Sequence, residues 1–284
     1  MKLFAVLFAC LCAVTVNAQS VSDIDYVNQT FYPATALLYS QDQQGGMNMR
    51  CTATAIDKDG DSYTFVTAAH CGAVDDEDHK TVSPEKTFFY ITPDQKDDKT
   101  FLKAEPVGAG YRHRGDDFML FKVKTDRAFP VVKLGHDPKA LESIVNIASP
   151  LGLGKQVFMG VVSNASLDRP IVETDINWTN AVALQLFGTD GGSSGSAVVC
   201  LDQRAVCAFV VGSISGTTII AMPVSRLIEV MAGLKDGSYR FWQKDADAKP
   251  AAAKAALIIG GDAVRCYVAP PNAIIGGGVW LNAQ

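Results

Sequence analysis

Three polar residues with complementary acid–base chemistry occur along the chain in the order His70, Asp117 and Ser194. A serine hydroxyl is a weak nucleophile, so it needs a neighbouring base to take its proton as it attacks. Histidine suits that role because its side chain titrates near neutral pH, and a carboxylate can hold the imidazole ring in one tautomer. Residues of these types predict nucleophilic catalysis if the fold brings them together.

Each of the three residues lies in a distinct local motif. The motifs are VTAAHC at residues 66–71, DFMLFKV at 117–123 and GGSSGSAV at 191–198. Neighbouring residues of the same type leave alternatives open, with Asp116 as a second candidate acid and Ser193 and Ser196 as further candidate nucleophiles. The apolar run that follows Asp117 favours Asp117 and predicts Asp116 to be an exposed turn residue. Only Ser194 stands in a Gly-x-Ser-Gly context, which favours it as the nucleophile.

Short β-like runs separated by turn signals fill most of the chain from Ala34 onward, a pattern typical of an all-β sandwich or barrel. The runs cover residues 34–39, 52–56, 63–67, 87–91, 118–123, 145–148, 157–162, 182–187, 197–200, 208–211 and 218–222. The segment Asp59–Ser62 (DGDS) predicts a hairpin turn, and Leu201–Arg204 predicts another. Apolar residues at helical spacing predict a helix over Val224–Leu234.

The three motifs resemble the active-site motifs of the trypsin/chymotrypsin-like serine peptidases, and the serine motif is closest in style to that of bacterial glutamyl-endopeptidase-like members. The resemblance implies two packed six-stranded Greek-key barrels, the first at about residues 30–130 and the second at about 140–223, followed by the helix 224–234 and an extra tail. It also implies a disulfide between Cys51 and Cys71, beside the histidine.

The same resemblance implies a serine endopeptidase that acts on protein or peptide substrates without a cofactor. Ser194 would attack the peptide carbonyl, His70 would carry the proton, and Asp117 would orient the imidazole. The backbone N–H groups of Gly192 and Ser194 would form the oxyanion hole. The competing hypothesis is a catalytically inactive binding protein on the same fold, which normally lacks one of the three residues; all three are present here.

A substrate pocket is also implied by the resemblance. Its residues are Gly188, Thr189, Ser213, Ile214, Ser215 and Gly216. Trypsin-like members have an aspartate where this chain has Gly188, and glutamate-preferring members have a histidine where it has Ile214. We therefore expect the pocket to take a small or apolar side chain.

The residue before the nucleophile bears on how the protein becomes active. Animal digestive members have an aspartate at this position, which pairs with a new N-terminus after cleavage, whereas this chain has Ser193. We therefore expect the chain to fold in an active form, or to be controlled by some means other than that cleavage.

The N-terminal residues predict export. Lys2 precedes an apolar stretch, and a small-residue cleavage pattern ends at Ala18, which together are typical of a secretory signal peptide. We expect a signal over residues 1–18, a peptidase domain over 19–243, and a linker with a C-terminal extension over 244–284. The protein would then be secreted, either extracellular or periplasmic.

An oxidising compartment favours disulfides. Two of the seven cysteines lie in the predicted signal, and five follow it. The nearest pairs among these five are Cys51 with Cys71 and Cys200 with Cys207. Cys266 is left over, either as a free buried thiol or as a partner for another chain.

Composition and residue order exclude other classes of protein. A net charge of −5 without basic runs argues against nucleic acid and anionic membranes as partners. The apolar N-terminal stretch is too short to span a bilayer, and no later run is long enough. The cysteines and histidines lack the spacing of a zinc site, so we expect no metal. All four histidines precede Ser194, which excludes the Ser-acid-His order of the α/β-hydrolases.

Overall fold

The computed structural model describes residues 22–75, 82–93, 100–110, 116–167, 171–173, 176–178 and 180–236. Within them the strands, numbered in chain order, are β1 (Thr35–Gln41), β2 (Met47–Asp59), β3 (Ser62–Thr67), β4 (Ala73–Asp75), β5 (Val82–Pro84), β6 (Phe88–Thr92), β7 (Leu102–Ala109), β8 (Met119–Lys124), β9 (Ser143–Ala148), β10 (Gln156–Asn164), β11 (Ile171–Glu173), β12 (Ile176–Trp178), β13 (Val182–Gln185), β14 (Ala197–Cys200), β15 (Ala205–Ser215) and β16 (Thr218–Pro223).

Two closed antiparallel barrels of six strands each organise these strands. The first has the order β1-β2-β3-β8-β7-β6, and the second has the order β10-β13-β16-β15-β14-β9. In both barrels a strand pairs with one that is distant in the chain, as in a Greek key. The prediction of an all-β, two-barrel chymotrypsin-like fold is therefore confirmed. The segments predicted as signal (1–18) and C-terminal extension (244–284), which includes Cys266, lie outside the described residues.

The predicted hairpin turns occur where the sequence places them. β2 and β3 pair up to Asp59 opposite Ser62, and Gly60 takes a φ of +58° in the tight turn between them. The positive φ favours glycine because an ordinary side chain would be strained there. The second turn joins β14 to β15 between Cys200 and Ala205.

The strand β7 is one that the sequence pattern misses. Only Leu102 to Glu105 alternate between apolar and charged residues before Pro106 breaks the pattern, so the segment is not recognised as a strand. The barrel accommodates Pro106 because the register with β8 shifts between Pro106 and Gly108, and such irregularities tolerate the missing N–H donor. The pattern also misses two short ribbons, β4 with β5 and β11 with β12.

The barrels pack against each other through a shared apolar core. Phe118, just before β8 of the first barrel, meets Phe209 of the second barrel edge to face, with ring centroids 5.8 Å apart. Both rings are buried, and buried residues of both barrels belong to this same cluster. Aromatic pairs of this kind add to the stabilisation that burial provides.

A helical segment at the start of the described chain ties the two barrels together. It runs through Val27–Phe31 and Tyr32–Ala34 into β1. Lys155 of the second barrel donates hydrogen bonds to the carbonyls of Tyr32 and Thr35, each at 3.0 Å. The ammonium also lies 4.2 Å from the centre of the Tyr32 ring. Arg204 forms an ion pair with Asp23 at 2.9 Å.

The predicted C-terminal helix is confirmed as α1 (Val224–Asp236). Its first turn is capped from outside, since the Asp137 carboxylate accepts hydrogen bonds from the Ser225 N–H at 2.8 Å and from its hydroxyl at 2.7 Å. Such a cap satisfies donors that the helix itself leaves unpaired. In the part of the chain that the structure describes, no helix is both long and apolar enough to cross a membrane.

Candidate active site

His70 and Asp117 are brought together by two neighbouring strands. His70 lies in the 3₁₀ turn Ala69–Cys71 that follows β3, and Asp117 lies just before β8, which pairs with β3. The imidazole Nδ1 is 2.7 Å from Asp117 Oδ2, and the backbone N–H of His70 donates to Asp117 Oδ1 at 3.0 Å. Because a carboxylate only accepts, Nδ1 carries the proton and Nε2 is left with its lone pair.

Burial separates the two members of this pair. The Asp117 side chain is fully buried, whereas the His70 side chain is 25% exposed. The carboxylate is thus held inside the protein, while the ring reaches the surface where a substrate can meet it. A buried carboxylate that is hydrogen-bonded on both oxygens is typical of a group that orients an imidazole.

Asp116 departs from the sequence expectation. The sequence predicts an exposed turn residue at this position, but the carboxylate forms a partly buried ion pair with Arg226 of α1. The helix therefore reaches back to the loop that carries Asp117. With Asp116 bound to Arg226 and Asp117 bound to His70, the two acidic residues have different partners.

The serine turn distinguishes the three candidate nucleophiles. Ser193 and Ser196 are buried. The Ser193 hydroxyl accepts the N–H of Asp190 at 3.2 Å, and the Ser196 hydroxyl accepts from Asn146 Nδ2 at 2.8 Å. Ser194 is only partly buried, and its hydroxyl forms no hydrogen bond with any other described residue.

The turn is pressed against the first barrel beside the histidine. The N–H of Thr52 donates to the carbonyl of Ser194 at 3.1 Å. A Cβ added to Gly195 would lie 2.5 Å from the N of Ala68, two residues before His70. No hydrogen bond joins Ser194 to His70 in these described residues; contacts between nucleophile and base are often loose without substrate and tighten in its complex.

Two backbone N–H groups in the turn remain available to a ligand. Among the described residues, the N–H groups of Gly192 and Ser194 donate to no other protein group. Gly192 has a φ of +95°, and the carbonyl of the preceding Gly191 accepts the N–H of Leu151 at 2.6 Å. Since C=O and N–H point in opposite directions across a trans peptide, the Gly192 N–H points away from Leu151.

The expected pocket residues flank the same turn. Gly188 and Thr189 lie between β13 and the serine turn, and Gly188 has a φ of +86° with the Phe158 ring against it. The Thr189 hydroxyl oxygen is buried and has no hydrogen-bond partner among the described residues.

The other expected pocket residues, Ser213 to Gly216, lie at the end of β15 and in the turn after it. Val210 of that strand exchanges hydrogen bonds with the serine turn, since its carbonyl accepts the Gly195 N–H at 2.7 Å and its N–H donates to Ser196 at 2.9 Å. The Ile214 side chain is 53% exposed. The strand thus leaves the turn and runs on toward this exposed position.

Both expected disulfides are present. Cys51 is bonded to Cys71 and Cys200 is bonded to Cys207. One group of atoms of metal-ligand type comes close together within the described ranges, formed by Cys51, His70 and Cys71. Because both sulfurs are committed to the disulfide, they are not thiolates and cannot serve as ordinary metal ligands.

Sequence reasoning missed two residues that contact the serine turn. Asn146 is fully buried, and its Nδ2 donates to the Ser196 hydroxyl and to the carbonyl of Ala197 at 2.7 Å. Thr52 bonds to the turn through both its backbone and its hydroxyl. Both residues stand inside β-like runs, and no motif in the sequence marks them.

Comparisons with known proteins place the chain in a family. Residues 51–208, more than half of the chain, match the family model of the trypsin-like peptidase domain. No curated protein matches the sequence significantly.

Solved structures share the fold at low sequence identity. An inactive form of the Rv3671c protease is 15% identical over 74% of this chain and 92% of that chain, with a TM-score of 0.54. The inactive form of a serine-to-alanine mutant of Rv3671c from M. tuberculosis H37Rv is 14% identical over 74% of this chain and 90% of that chain, with a TM-score of 0.54. The HtrA-type protease AlgW with a tripeptide is 18% identical over 76% of this chain and 64% of that chain, with a TM-score of 0.56. From the matched family model and the two-barrel fold together, the chain belongs to the trypsin-like peptidase domain family.

Proposed function

We propose that the protein is a secreted serine endopeptidase that cleaves peptide bonds through Ser194, His70 and Asp117. The observation that carries the proposal is the 2.7 Å contact between His70 Nδ1 and the buried Asp117 carboxylate, next to a turn in which Ser194 alone has an unengaged hydroxyl. Membership of a peptidase family supports a peptide or protein as the substrate.

Acylation follows from these positions. The Ser194 oxygen attacks the carbonyl carbon of the scissile bond while His70 Nε2 takes the hydroxyl proton. Asp117 keeps the Nδ1 proton in place and stabilises the imidazolium that forms. His70 then gives the proton to the leaving amine as the C–N bond breaks, which leaves an acyl ester on Ser194.

Deacylation repeats the steps with water. His70 takes a proton from the attacking water, and the Ser194 oxygen leaves with that proton as the acid product forms. In both halves the substrate carbonyl oxygen becomes negatively charged. The free N–H groups of Gly192 and Ser194 are the donors for this oxyanion, and one such donor typically stabilises the transition state by about 3 kcal/mol.

The serine turn supports activity without a new N-terminus. Ser193 replaces the aspartate that would need such a partner, and its hydroxyl instead accepts the N–H of Asp190 at 3.2 Å. The Asp190 carbonyl in turn accepts the Ser193 N–H at 2.9 Å. These local bonds stabilise the turn, so the chain folds with its oxyanion donors already free.

The primary pocket prefers a small or apolar side chain. Gly188 offers no charge for a basic side chain, and the Phe158 ring packs against it. Ile214 offers no imidazole for an acidic one. The serine motif is closest in style to the bacterial glutamyl-endopeptidase-like branch, but the pocket differs from that branch at Ile214.

Export and domain limits complete the proposal. The two disulfides suit an oxidising compartment, and the N-terminal pattern supports a signal over residues 1–18. The peptidase domain then spans residues 19–243, and residues 244–284 form a linker and extension.

A fluorophosphonate probe tests this proposal. The wild-type protein is expected to react, with loss of fluoride, and peptide mapping by mass spectrometry is expected to place the adduct on Ser194. Ser194→Ala is expected to abolish labelling, whereas Ser166→Ala, at an exposed serine remote in sequence from the motifs, is expected to retain it. A folded wild-type protein that does not react would instead identify a catalytically inactive binding protein on the trypsin-like fold.

A further inference from the structure

The hydroxyl of Thr52 connects the serine turn to the opposite loop. Thr52 is fully buried on β2, next to the disulfide-bonded Cys51. Its Oγ1 donates to the carbonyl of Gly192 at 2.9 Å and accepts the N–H of Ser149 at 3.0 Å. A carbonyl can only accept and an N–H can only donate, so both roles of the hydroxyl are determined by its partners.

The backbone of Thr52 holds the same turn one residue farther along. Its N–H donates to the carbonyl of Ser194 at 3.1 Å. Its own carbonyl accepts the hydroxyl of Thr67, at the end of β3, at 2.8 Å. Thr52 therefore binds the carbonyls of both residues whose N–H groups we assign to the oxyanion hole, and it is itself anchored to the strand that leads to His70.

The serine turn needs such support because the backbone dihedral angles of its glycines are weakly restrained. Gly192 lacks a Cβ, which would lie 2.5 Å from the carbonyl of Ser149, and glycine has access to many backbone conformations. Rotation of a peptide unit exchanges the positions of its N–H and C=O groups. The Gly192 carbonyl that Thr52 holds belongs to the peptide unit between Gly192 and Ser193, which lies between the two units that carry the Gly192 and Ser194 N–H groups. If this central unit moves, a neighbouring unit can rotate and present a carbonyl to the substrate oxygen, which would repel the developing charge.

We propose that Thr52 is a positioning residue, and that its hydroxyl fixes the peptide unit between Gly192 and Ser193 so that the Gly192 and Ser194 N–H groups on either side keep the orientation that receives the oxyanion. The hydroxyl acts through the Gly192 carbonyl and the Ser149 N–H, and it does not touch substrate. This proposal rests on the proposed peptidase function. It also assigns a role to a residue in the first barrel that is distant in sequence from the nucleophile it serves.

Two substitutions at Thr52 test the role of the hydroxyl. Thr52→Val keeps the shape of the side chain but removes the donor and the acceptor. We expect kcat to fall about 10- to 100-fold with KM changed by less than about twofold, because the lost bonds matter most when the oxyanion forms. Thr52→Ser restores the hydroxyl and is expected to recover most of kcat.

Thr54→Val is the matched control. Thr54 is also buried on β2, two residues farther along, and its Oγ1 has no hydrogen-bond partner among the described residues. We expect this variant to keep wild-type kcat and KM. Its thermal midpoint measures what the loss of a buried hydroxyl on this strand does to stability alone.

Hydrogen–deuterium exchange of the peptide covering residues 188–196 gives a readout that does not need activity. We expect faster exchange in Thr52→Val than in the wild type, Thr52→Ser or Thr54→Val. Unchanged exchange together with kcat within about twofold of wild type would overturn the proposal, as would equal losses in Thr52→Val and Thr54→Val. A wild type that fails to react with fluorophosphonate overturns the peptidase function, while exchange still decides whether Thr52 holds the turn.

Discussion

Removal of either disulfide is expected to affect stability and activity to different extents. Replacing both cysteines of a bridge by alanine removes a cross-link from the unfolded chain. The Cys51–Cys71 and Cys200–Cys207 bridges span sequence separations of 20 and 7 residues. The chain-entropy relation gives about 3.3 kcal/mol for the longer loop and about 2.4 kcal/mol for the shorter one at room temperature. All four cysteines are buried, so the loss of side-chain burial is similar in the two variants.

We therefore expect Cys51→Ala/Cys71→Ala to lose about 0.9 kcal/mol more stability than Cys200→Ala/Cys207→Ala. Urea unfolding followed by circular dichroism measures this difference. A larger loss in the second variant would contradict the loop-length argument.

Activity is expected to differ much more than stability between these variants. Cys51 precedes Thr52 and Cys71 follows His70, so their bridge links the residue that holds the serine turn to the proposed base. The other bridge joins β14 to β15, which are already paired by backbone hydrogen bonds.

We expect kcat/KM on a peptide substrate to fall about tenfold or more in the first variant and less than about threefold in the second. The assay is run well below either unfolding midpoint. Equal losses of activity in two fully folded variants would refute the idea that the Cys51–Cys71 bridge positions the site.

Three further predictions concern the site and its support. Asp117→Asn is expected to lower kcat by about 10³- to 10⁴-fold by disturbing the imidazole tautomer, and a variant with wild-type kcat would remove Asp117 from the mechanism. In the wild type, a pH profile should show kcat/KM decreasing toward acidic pH, because protonated His70 cannot act as a base. Asn146→Ala is expected to lower the free energy of unfolding, measured in urea, by about 2 kcal/mol, since the buried carbonyl of Ala197 loses its bond from Asn146 Nδ2. A change below about 0.5 kcal/mol would show that the bond contributes little. Gly195→Ala is expected to destabilise the fold by more than about 2 kcal/mol, because the φ of residue 195 is +79° and the new Cβ would lie 2.5 Å from the backbone nitrogen of Ala68. An unchanged thermal midpoint would contradict that geometry.

The parts of the fold that could be predicted are those determined by residues close together in the sequence. The hairpin at Asp59–Ser62 is encoded by its turn residues, and the strand before His70 is encoded by its β-branched and aromatic residues. β7 could not be predicted because Pro106 is tolerated only through a register shift with β8, which is a property of the assembled barrel.

The same distinction applies to the site. His70, Asp117 and Ser194 stand in recognisable motifs, so the sequence alone is enough to propose them as the site. The role of Thr52 was not predictable because its hydroxyl meets Gly192, 140 residues away in sequence. The ion pair of Asp116 was missed for the same reason, since Arg226 lies 110 residues farther along. Contacts of this kind follow from how the barrels pack and leave no local pattern.

The bonds that tie the barrels together join residues that are far apart in the chain. Lys155 meets the carbonyl of Tyr32 across 123 residues, and Arg204 meets Asp23 across 181 residues. Each of these contacts closes a large loop, which costs chain entropy before the contact is gained. The residues of the first barrel, 35–124, which include His70 and Asp117, are synthesised before the serine turn. The proposed site is therefore incomplete in a growing chain until the second barrel has folded against the first.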